Sequence, residues 1–211
     1  MQSLIEAFVT LWVVIDPIGT VPVFIAVTAG MATAARKKTA LQAALVSAGV
    51  LMFFLVFGQI LINALGIGLN SFQVAGGIIL FLFALTMIFG ESKPESDLHA
   101  AEAVLEQKKK ANVAVYPLAV PSLASPGAML SIVLLTDNNR FSIADQSVTA
   151  VVMLLVIAIA YLFMRLAEPI IRLIGEAGSA IVSRVMGMIL ASVAANAVLS
   201  GILTIVQTGE L

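Results

Sequence analysis

Two residue pairs with the chemistry of a helix start lie inside otherwise apolar segments, Asp16-Pro17 and Ser125-Pro126. In each pair a side-chain oxygen is available to accept hydrogen bonds from free backbone N–H groups, and the proline suits the first turn of a helix. The free N–H groups and the dipole at such a helix end favour an anion. Each pair therefore predicts a helix that begins inside an apolar segment and favours a carboxylate there.

Asp16 is also the deepest charge that the sequence places in an apolar segment. It lies ten residues after Glu6, which is about 15 Å along a helix. A charged Asp at the centre of a bilayer costs roughly 2.5–3.5 kcal/mol, so we expect it to face a partner or a wet cavity. Two interpretations remain open. Asp16 is either a structural cap, or a group that receives a substrate ammonium or carries a coupling proton.

The elements that position these pairs are predicted to be membrane helices. Hydrophobic residues make up 61% of the chain and charged residues 11%, which is far from the average of soluble domains. A membrane helix needs about 20 apolar residues. The start of the chain has an acidic residue and no small-residue cleavage site, so we expect no cleavable signal peptide. The charge-free windows predict an all-α membrane protein with six transmembrane helices at residues 3–30, 40–64, 71–90, 113–136, 147–170 and 183–207.

Nearly equal spacings indicate that the chain is a duplication. The interval from Gly77 to Gly187, which we call the repeat offset, is only one position longer than the interval from Pro17 to Pro126. The two glycines are expected to let helices pack closely. Broken helices at corresponding positions of two halves point to the substrate site of a transporter. The predicted organisation is a three-helix repeat (1–90), a cytoplasmic linker (91–112) and a second repeat (113–211), with helices 1 and 4 broken near the midplane.

The basic residues predict the orientation. Of the 11 Lys and Arg residues, all but Arg140 lie near the loops at 36–38, 93–110 and 165–184. Positively charged loops stay in the cytoplasm, so both termini are expected outside. Three helices per repeat then make the second repeat inverted relative to the first. A short helix is expected in the linker at 98–110.

Polar residues inside the spans extend the candidate site. Thr86 and Asn196, in helices three and six, are separated by the repeat offset. A mid-helix amide normally faces the interior of a bundle, so both are candidates to line a pathway, although such groups also bond to their own helix. The predicted substrate-binding residues are Asp16, Pro17, Gly19, Thr20, Ser125, Pro126, Gly127, Thr86 and Asn196, with Asp16 as the candidate for proton coupling.

Several function classes are not expected from this composition. Asp16 is the only acid deep inside a span, so a catalytic pair is hard to build and an enzyme is not expected. Arg165 and Glu168, three residues apart, are expected to pair with each other. The chain has no cysteine and one histidine, His99, so no metal and no cofactor is expected. A net charge of −1 gives no footprint for nucleic acid.

Four stretches give the chain a resemblance to a known family. They are DPIGTVP from Asp16, AGGIIL from Ala75, ASPG from Ala124 and RVMGMIL from Arg184. In order, spacing and number of spans, the chain resembles the MarC family, which includes transporters of small neutral amino acids and uncharacterised bacterial inner-membrane proteins. The resemblance implies two inverted three-helix repeats, broken first and fourth helices, and a bacterial or archaeal cell (inner) membrane location.

The resemblance also implies a small neutral amino acid, or a similar small zwitterion, as substrate. Asp16, Ser125 and Asn196 stand where the family often has Asn, Gly and Gln. The working hypothesis is a secondary transporter, an importer or exporter, that works by alternating access, with proton coupling through Asp16 as an added hypothesis. A non-transporting membrane scaffold or regulatory protein, and a channel for small solutes, remain the alternatives. The oligomeric state is left open.

Overall fold

Eight helical segments form the protein in a computed structural model that describes residues 4–64, 66, 68–89, 112–138 and 141–209. Every regular element within these residues is helical, which confirms the all-α prediction. The predicted helix at 98–110 lies outside the described residues. The segments are α1 (Leu4–Ile15), α2 (Thr20–Val27), α3 (Thr33–Ala64), α4 (Leu69–Phe89), α5 (Ala114–Leu123), α6 (Pro126–Leu135), α7 (Ile143–Arg165) and α8 (Ala167–Thr208).

Five spans and one bent pair are long and apolar enough to cross a membrane. The pair consists of α5 and α6, which meet at an angle of 53°. Counted as one span, the pair brings the number to the predicted six. The other spans are Leu4–Val27, Thr33–Ile62, Asn70–Phe89, Ile143–Arg165 and Ala180–Gln207.

Two helices begin at least seven residues earlier than the apolar windows predict. Helix α3 begins at Thr33 rather than at 40, and α8 begins at Ala167 rather than at 183. The basic residues at 36–38 are therefore helical and not in a loop. Lys, Arg and Ala are good helix formers, so a helix continues where an apolar window ends. Within α8, Gly175 interrupts the helix with φ +67°, a conformation that glycine adopts readily.

The predicted break in the fourth helix is present, and the irregular geometry covers more residues than expected. Helix α5 has wide turns and loses helical geometry at Tyr116 and Val120. Each of these residues precedes a proline, and the proline ring pushes the residue before it out of the helical region. Helix α6 then begins at Pro126, as predicted.

The broken first span lies at the centre of the bundle. In its apolar window 72% of the residues are buried, against 17% in Ala180–Gln207. Trp12 packs against Phe8 and Phe163, with ring centroids 5.7 Å and 6.2 Å away. The break at Asp16 is therefore enclosed by the other helices.

Helices α4 and α8 pack closely through glycines. A Cβ on Gly77 would lie 3.1 Å from the Ala194 carbonyl oxygen, and a Cβ on Gly187 would lie 3.2 Å from the Ala84 carbonyl oxygen. Small residues permit this approach, as predicted. The two contacts are reciprocal, because Ala84 and Ala194 are separated by the repeat offset, like the two glycines. The order of these contacts along the chain also shows that the two helices are antiparallel.

The ion pair at one end of the bundle differs from the predicted one. Glu168 pairs with Arg36 and so joins α8 to α3. Arg165 instead donates to the Tyr161 hydroxyl, at 2.8 Å. The predicted Arg165–Glu168 pair is therefore wrong, because folding brings Arg36 to the carboxylate from the other half of the chain.

Candidate functional site

The first break is centred on the backbone of Asp16. Its N–H still donates to the Trp12 carbonyl (3.0 Å) and closes the last turn of α1, but its φ is +49°. This left-handed conformation ends helices, whereas a capping residue at a helix start is extended. The prediction that a helix starts at Pro17 is therefore wrong, and α2 begins at Thr20 after a turn. The Asp16 carbonyl accepts from both the N–H (3.2 Å) and the hydroxyl (3.1 Å) of Thr20.

The Asp16 carboxylate is buried and has two partners. Its Oδ1 accepts from the Gly19 N–H at 2.9 Å, and its Oδ2 accepts from the Ser183 hydroxyl of α8 at 2.6 Å. The side chain lies directly over Gly19, where an added Cβ would be 2.2 Å from Oδ2. Only glycine leaves room for this arrangement. The predicted partner for the buried acid is therefore present.

The second break is capped as predicted. Ser125 is extended, and its Oγ accepts from the Ala128 N–H at 3.1 Å. The same hydroxyl donates to the Val14 carbonyl at 3.2 Å. Val14 lies in the last turn of α1, so Ser125 reaches a carbonyl that is close to the first break. The second break is thus bonded directly to the first.

A further contact joins the two breaks. Ser122, from the last turn of α5, donates to the Thr20 hydroxyl at 3.3 Å. Both side chains are buried. These bonds connect a group of polar residues at the two breaks, which we call the break cluster. Its members are Asp16, Thr20, Ser122, Ser125 and Ser183.

The break cluster offers groups that can bind a small polar molecule. It contains one carboxylate and four hydroxyl groups, and the helix α6 begins beside it. Hydroxyl groups both donate and accept, and a carboxylate accepts only. Among the described residues, no group of three His, Cys, Asp or Glu side chains is placed to hold a metal ion.

Six predicted site residues are not members of the break cluster, and two of them, Pro17 and Gly19, lie in the turn that follows Asp16. Thr86 is exposed on α4, and its hydroxyl donates to Phe83 of its own helix at 2.7 Å. Pro126 is exposed, while Gly127 is buried against the ring of Phe83. The Asn196 side chain is exposed rather than interior, because its face of α8 borders a cavity and not a neighbouring helix.

Two members of the break cluster were missed by the sequence analysis. Ser122 precedes the second break by three residues, and Ser183 lies 167 residues from its partner Asp16. One signal was present for Ser183. It follows Gln73 at the repeat offset, so the two halves carry polar residues at matching places.

Cavities lie at both ends of the bundle, and two of those that the described residues form bear on the site. The first, which we call the Gln73 cavity, has a volume of about 310 Å³ between α1, α4, α6 and α8. Leu80 lines it and also contacts Gly127 beside the second break. The Gln73 cavity therefore reaches toward the break cluster. Its polar lining residues are Glu6, Thr10, Gln73, Ser131, Asp137, Asn196 and Ser200.

The second cavity, of about 200 Å³, contains the ion pair between Arg36 and Glu168. The hydrogen bond from Arg36, together with its charge, holds the pKa of Glu168 below its ordinary value. The guanidinium also lies over the ring of Phe24, 5.7 Å from its centroid. At this end of the bundle the ion pair therefore joins α3 to α8.

Known proteins with similar sequences are membrane proteins. Residues 1–206 match the model of the MarC family of integral membrane proteins. UPF0056 membrane protein YvbG of Bacillus subtilis is 32% identical over 199 residues, which cover 94% of this chain and 93% of that protein. A UPF0056 membrane protein of Methanocaldococcus jannaschii is 32% identical, with 96% and 97% covered. YhcE of Escherichia coli is 31% identical, with 92% and 89% covered.

No solved structure matches the chain significantly. The family match extends over both breaks and all the described membrane spans. These relatives cover nearly the full length of the chain. The chain therefore belongs to the MarC family of integral membrane proteins.

Proposed function

We propose that the protein is a secondary transporter of small neutral amino acids or similar small metabolites, and that it works by alternating access. The observation that carries the proposal is the meeting of two helix breaks in one buried polar cluster. Ser125 of the second break bonds to Val14 of the first at 3.2 Å, and Asp16 bonds to Ser183 at 2.6 Å. Broken helices that meet in this way are typical of transporter substrate sites.

The chemistry of the break cluster suits a zwitterion. The N-terminal end of α6, with its Ser125 cap, favours the substrate carboxylate. Asp16 offers a charge to the substrate ammonium, which would replace the hydroxyl of Ser183 as a donor. Proton coupling through Asp16 is a further part of the proposal.

The reciprocal helix contacts support two inverted repeats, 1–90 and 113–211. Gly77 contacts Ala194 and Gly187 contacts Ala84, so the two contacts are related by the repeat offset. The two ends of the bundle nevertheless differ. One holds the Gln73 cavity, and the other holds the smaller cavity with the ion pair between Arg36 and Glu168. Alternating access requires the two repeats to adopt different conformations. Because Arg36, Lys37 and Arg165 line the smaller cavity, we place that end in the cytoplasm.

Two alternatives make different predictions for the break cluster. A scaffold or regulatory membrane protein does not need its chemistry, so substitutions that keep the fold would leave the phenotype unchanged. A channel would conduct without saturation. The burial of a polar cluster where two helix breaks meet favours a transporter over both.

Uptake of labelled alanine into proteoliposomes with a preset pH gradient tests the proposal. We expect saturable uptake that Ser125→Ala lowers about tenfold, the value of one to two hydrogen bonds. The matched control is Ser192→Ala, because Ser192 is exposed on α8 and bonds to Met188 of its own helix. Uptake no greater than in empty vesicles, for all small neutral amino acids, would refute the proposal. An unchanged response to the gradient in Asp16→Asn would refute only the proton coupling.

A further inference from the structure

The Gln73 cavity contains two buried polar atoms that have no hydrogen-bond partner among the described residues. They are Oε1 of Gln73, whose residue is 6% exposed, and Oγ of Ser131, whose residue is 1% exposed. Buried polar groups are nearly always hydrogen-bonded, so each unsatisfied group needs an explanation. Because both residues line a cavity, a ligand in that cavity is the simplest partner.

The type of partner follows from the orientation of Gln73. Its Nε2 donates to the Ala197 carbonyl at 3.0 Å. A backbone carbonyl only accepts, so the amide nitrogen must face it and the amide oxygen must be the free atom. An amide oxygen can only accept. Gln73 therefore requires a ligand that donates.

The charges that line the cavity select a cation. Glu6 and Asp137 are carboxylic acids on its wall, and none of its described lining residues is basic. Asp137 is 2% exposed, in a place where water screens electrostatic interactions little. An anion is disfavoured here, and a cation that carries N–H donors satisfies both the charge and the amide oxygen.

The volume is large enough for an organic ligand. About 310 Å³ is roughly ten times the 30 Å³ that one water occupies in the liquid. It also falls at the lower end of the range for small-molecule sites. The cavity thus has room for a molecule of several non-hydrogen atoms rather than only for a bare ion.

We propose that the Gln73 cavity is a binding site for a primary ammonium group. Gln73 Oε1 and Ser131 Oγ accept its N–H donors, and Asp137 and Glu6 supply the compensating charge. The inference goes beyond the proposed transport. It concerns residues outside the break cluster, and it holds for a simple amine as well as for an amino acid.

Binding to the purified protein in detergent tests this site without any transport. Isothermal titration compares ethylammonium with tetramethylammonium, which has the same charge but no N–H donor, at constant ionic strength. We expect saturable binding of ethylammonium and none of tetramethylammonium. Equal binding of both cations, or no saturable binding of ethylammonium, overturns the proposal. Glycine then identifies the source. Binding of glycine that Ser131→Ala weakens indicates an amino acid at this site, whereas glycine binding that is absent or unchanged in Ser131→Ala indicates a free amine.

Variants locate the site. Ser131→Ala removes one acceptor and little volume, and we expect it to weaken ethylammonium binding about fivefold, with an effect at least as large for Gln73→Leu. Ser192→Ala, at an exposed position of α8, is the control and is expected to bind as the wild type does. Size-exclusion chromatography checks the fold of each variant. Wild-type affinity in a folded Ser131→Ala overturns the assignment, whatever the outcome of the uptake experiment.

Discussion

Gly19→Ala is a sharp test of the Asp16 site, because it adds one methyl group directly under the carboxylate. The backbone of Gly19 has φ −64° and ψ −24°, values that alanine adopts without strain. The substitution therefore changes space and not backbone preference. The new Cβ would lie 2.2 Å from Asp16 Oδ2 and 2.9 Å from the Ser183 hydroxyl.

The magnitude follows from these distances. An ordinary contact begins at 3.4 Å, so the carboxylate must retreat by more than 1 Å. That shift lengthens its 2.9 Å bond from the Gly19 N–H or its 2.6 Å bond from Ser183. Overpacking costs about 1–3 kcal/mol, and a hydrogen bond to a charged group is worth about 1.5–3 kcal/mol. We expect a loss of about 2–4 kcal/mol, which lowers Tm by roughly 5–15 °C for a chain of this size.

Thermal unfolding in detergent, followed by size-exclusion chromatography, measures the effect. The matched control is Gly49→Ala, because Gly49 is in the interior of α3 with nothing within 4 Å of an added Cβ. That change is expected to be neutral or to stabilise by about 0.5–1 kcal/mol. If Gly19→Ala and Gly49→Ala have the same Tm, the carboxylate does not occupy the place described, and the reasoning about the break cluster fails.

Three more predictions concern other contacts. Ser183→Ala should destabilise the protein by about 1–3 kcal/mol, and much less when Asp16 is already Asn, which a double-mutant cycle of Tm values would measure. Gly187→Ala should cost about 1–3 kcal/mol at the contact between α4 and α8, and a Tm equal to the wild type would contradict that contact. The pKa of Glu168 is lowered in the folded protein. Its contribution is therefore present above pH 4.5 and lost as the pH falls through the folded-state pKa. The Tm difference between wild type and Glu168→Gln should shrink over that range, and should be absent at every pH once Arg36 is Gln.

The sequence predicts the positions of the two breaks better than it predicts their geometry. Ser125 is a helix cap as expected, because a capping residue before proline is a local signal. Asp16 has the same local signal, but its backbone is left-handed and its carboxylate bonds to Ser183, 167 residues away. The exposure of Asn196 depends on the cavity beside α8 in the same way. Contacts between distant segments cannot be read from the spacing of residues within either one.

The sequence also predicts the ends of the helices poorly. A hydropathy window detects the part of a helix that suits hydrocarbon, and it stops at the first charges. Helix α3 passes through Arg36, because Lys and Arg favour a helix and their charged groups reach beyond the apolar region. The count of spans was therefore predictable, and the length of the helices beyond the apolar region was not.

The reciprocal contacts between α4 and α8 also bear on the ancestry of the chain. In an isologous interface, residue i of one subunit contacts j of the other, and j contacts i. When the repeat offset is subtracted from the second-half positions, Ala194 corresponds to Ala84 and Gly187 to Gly77. The contacts of Gly77 with Ala194 and of Ala84 with Gly187 therefore follow this rule. A three-helix ancestor would make the same contact with a second copy of itself inserted in the opposite orientation. We therefore expect the two halves to associate through α4 and α8 when they are produced as separate polypeptides divided within 91–112.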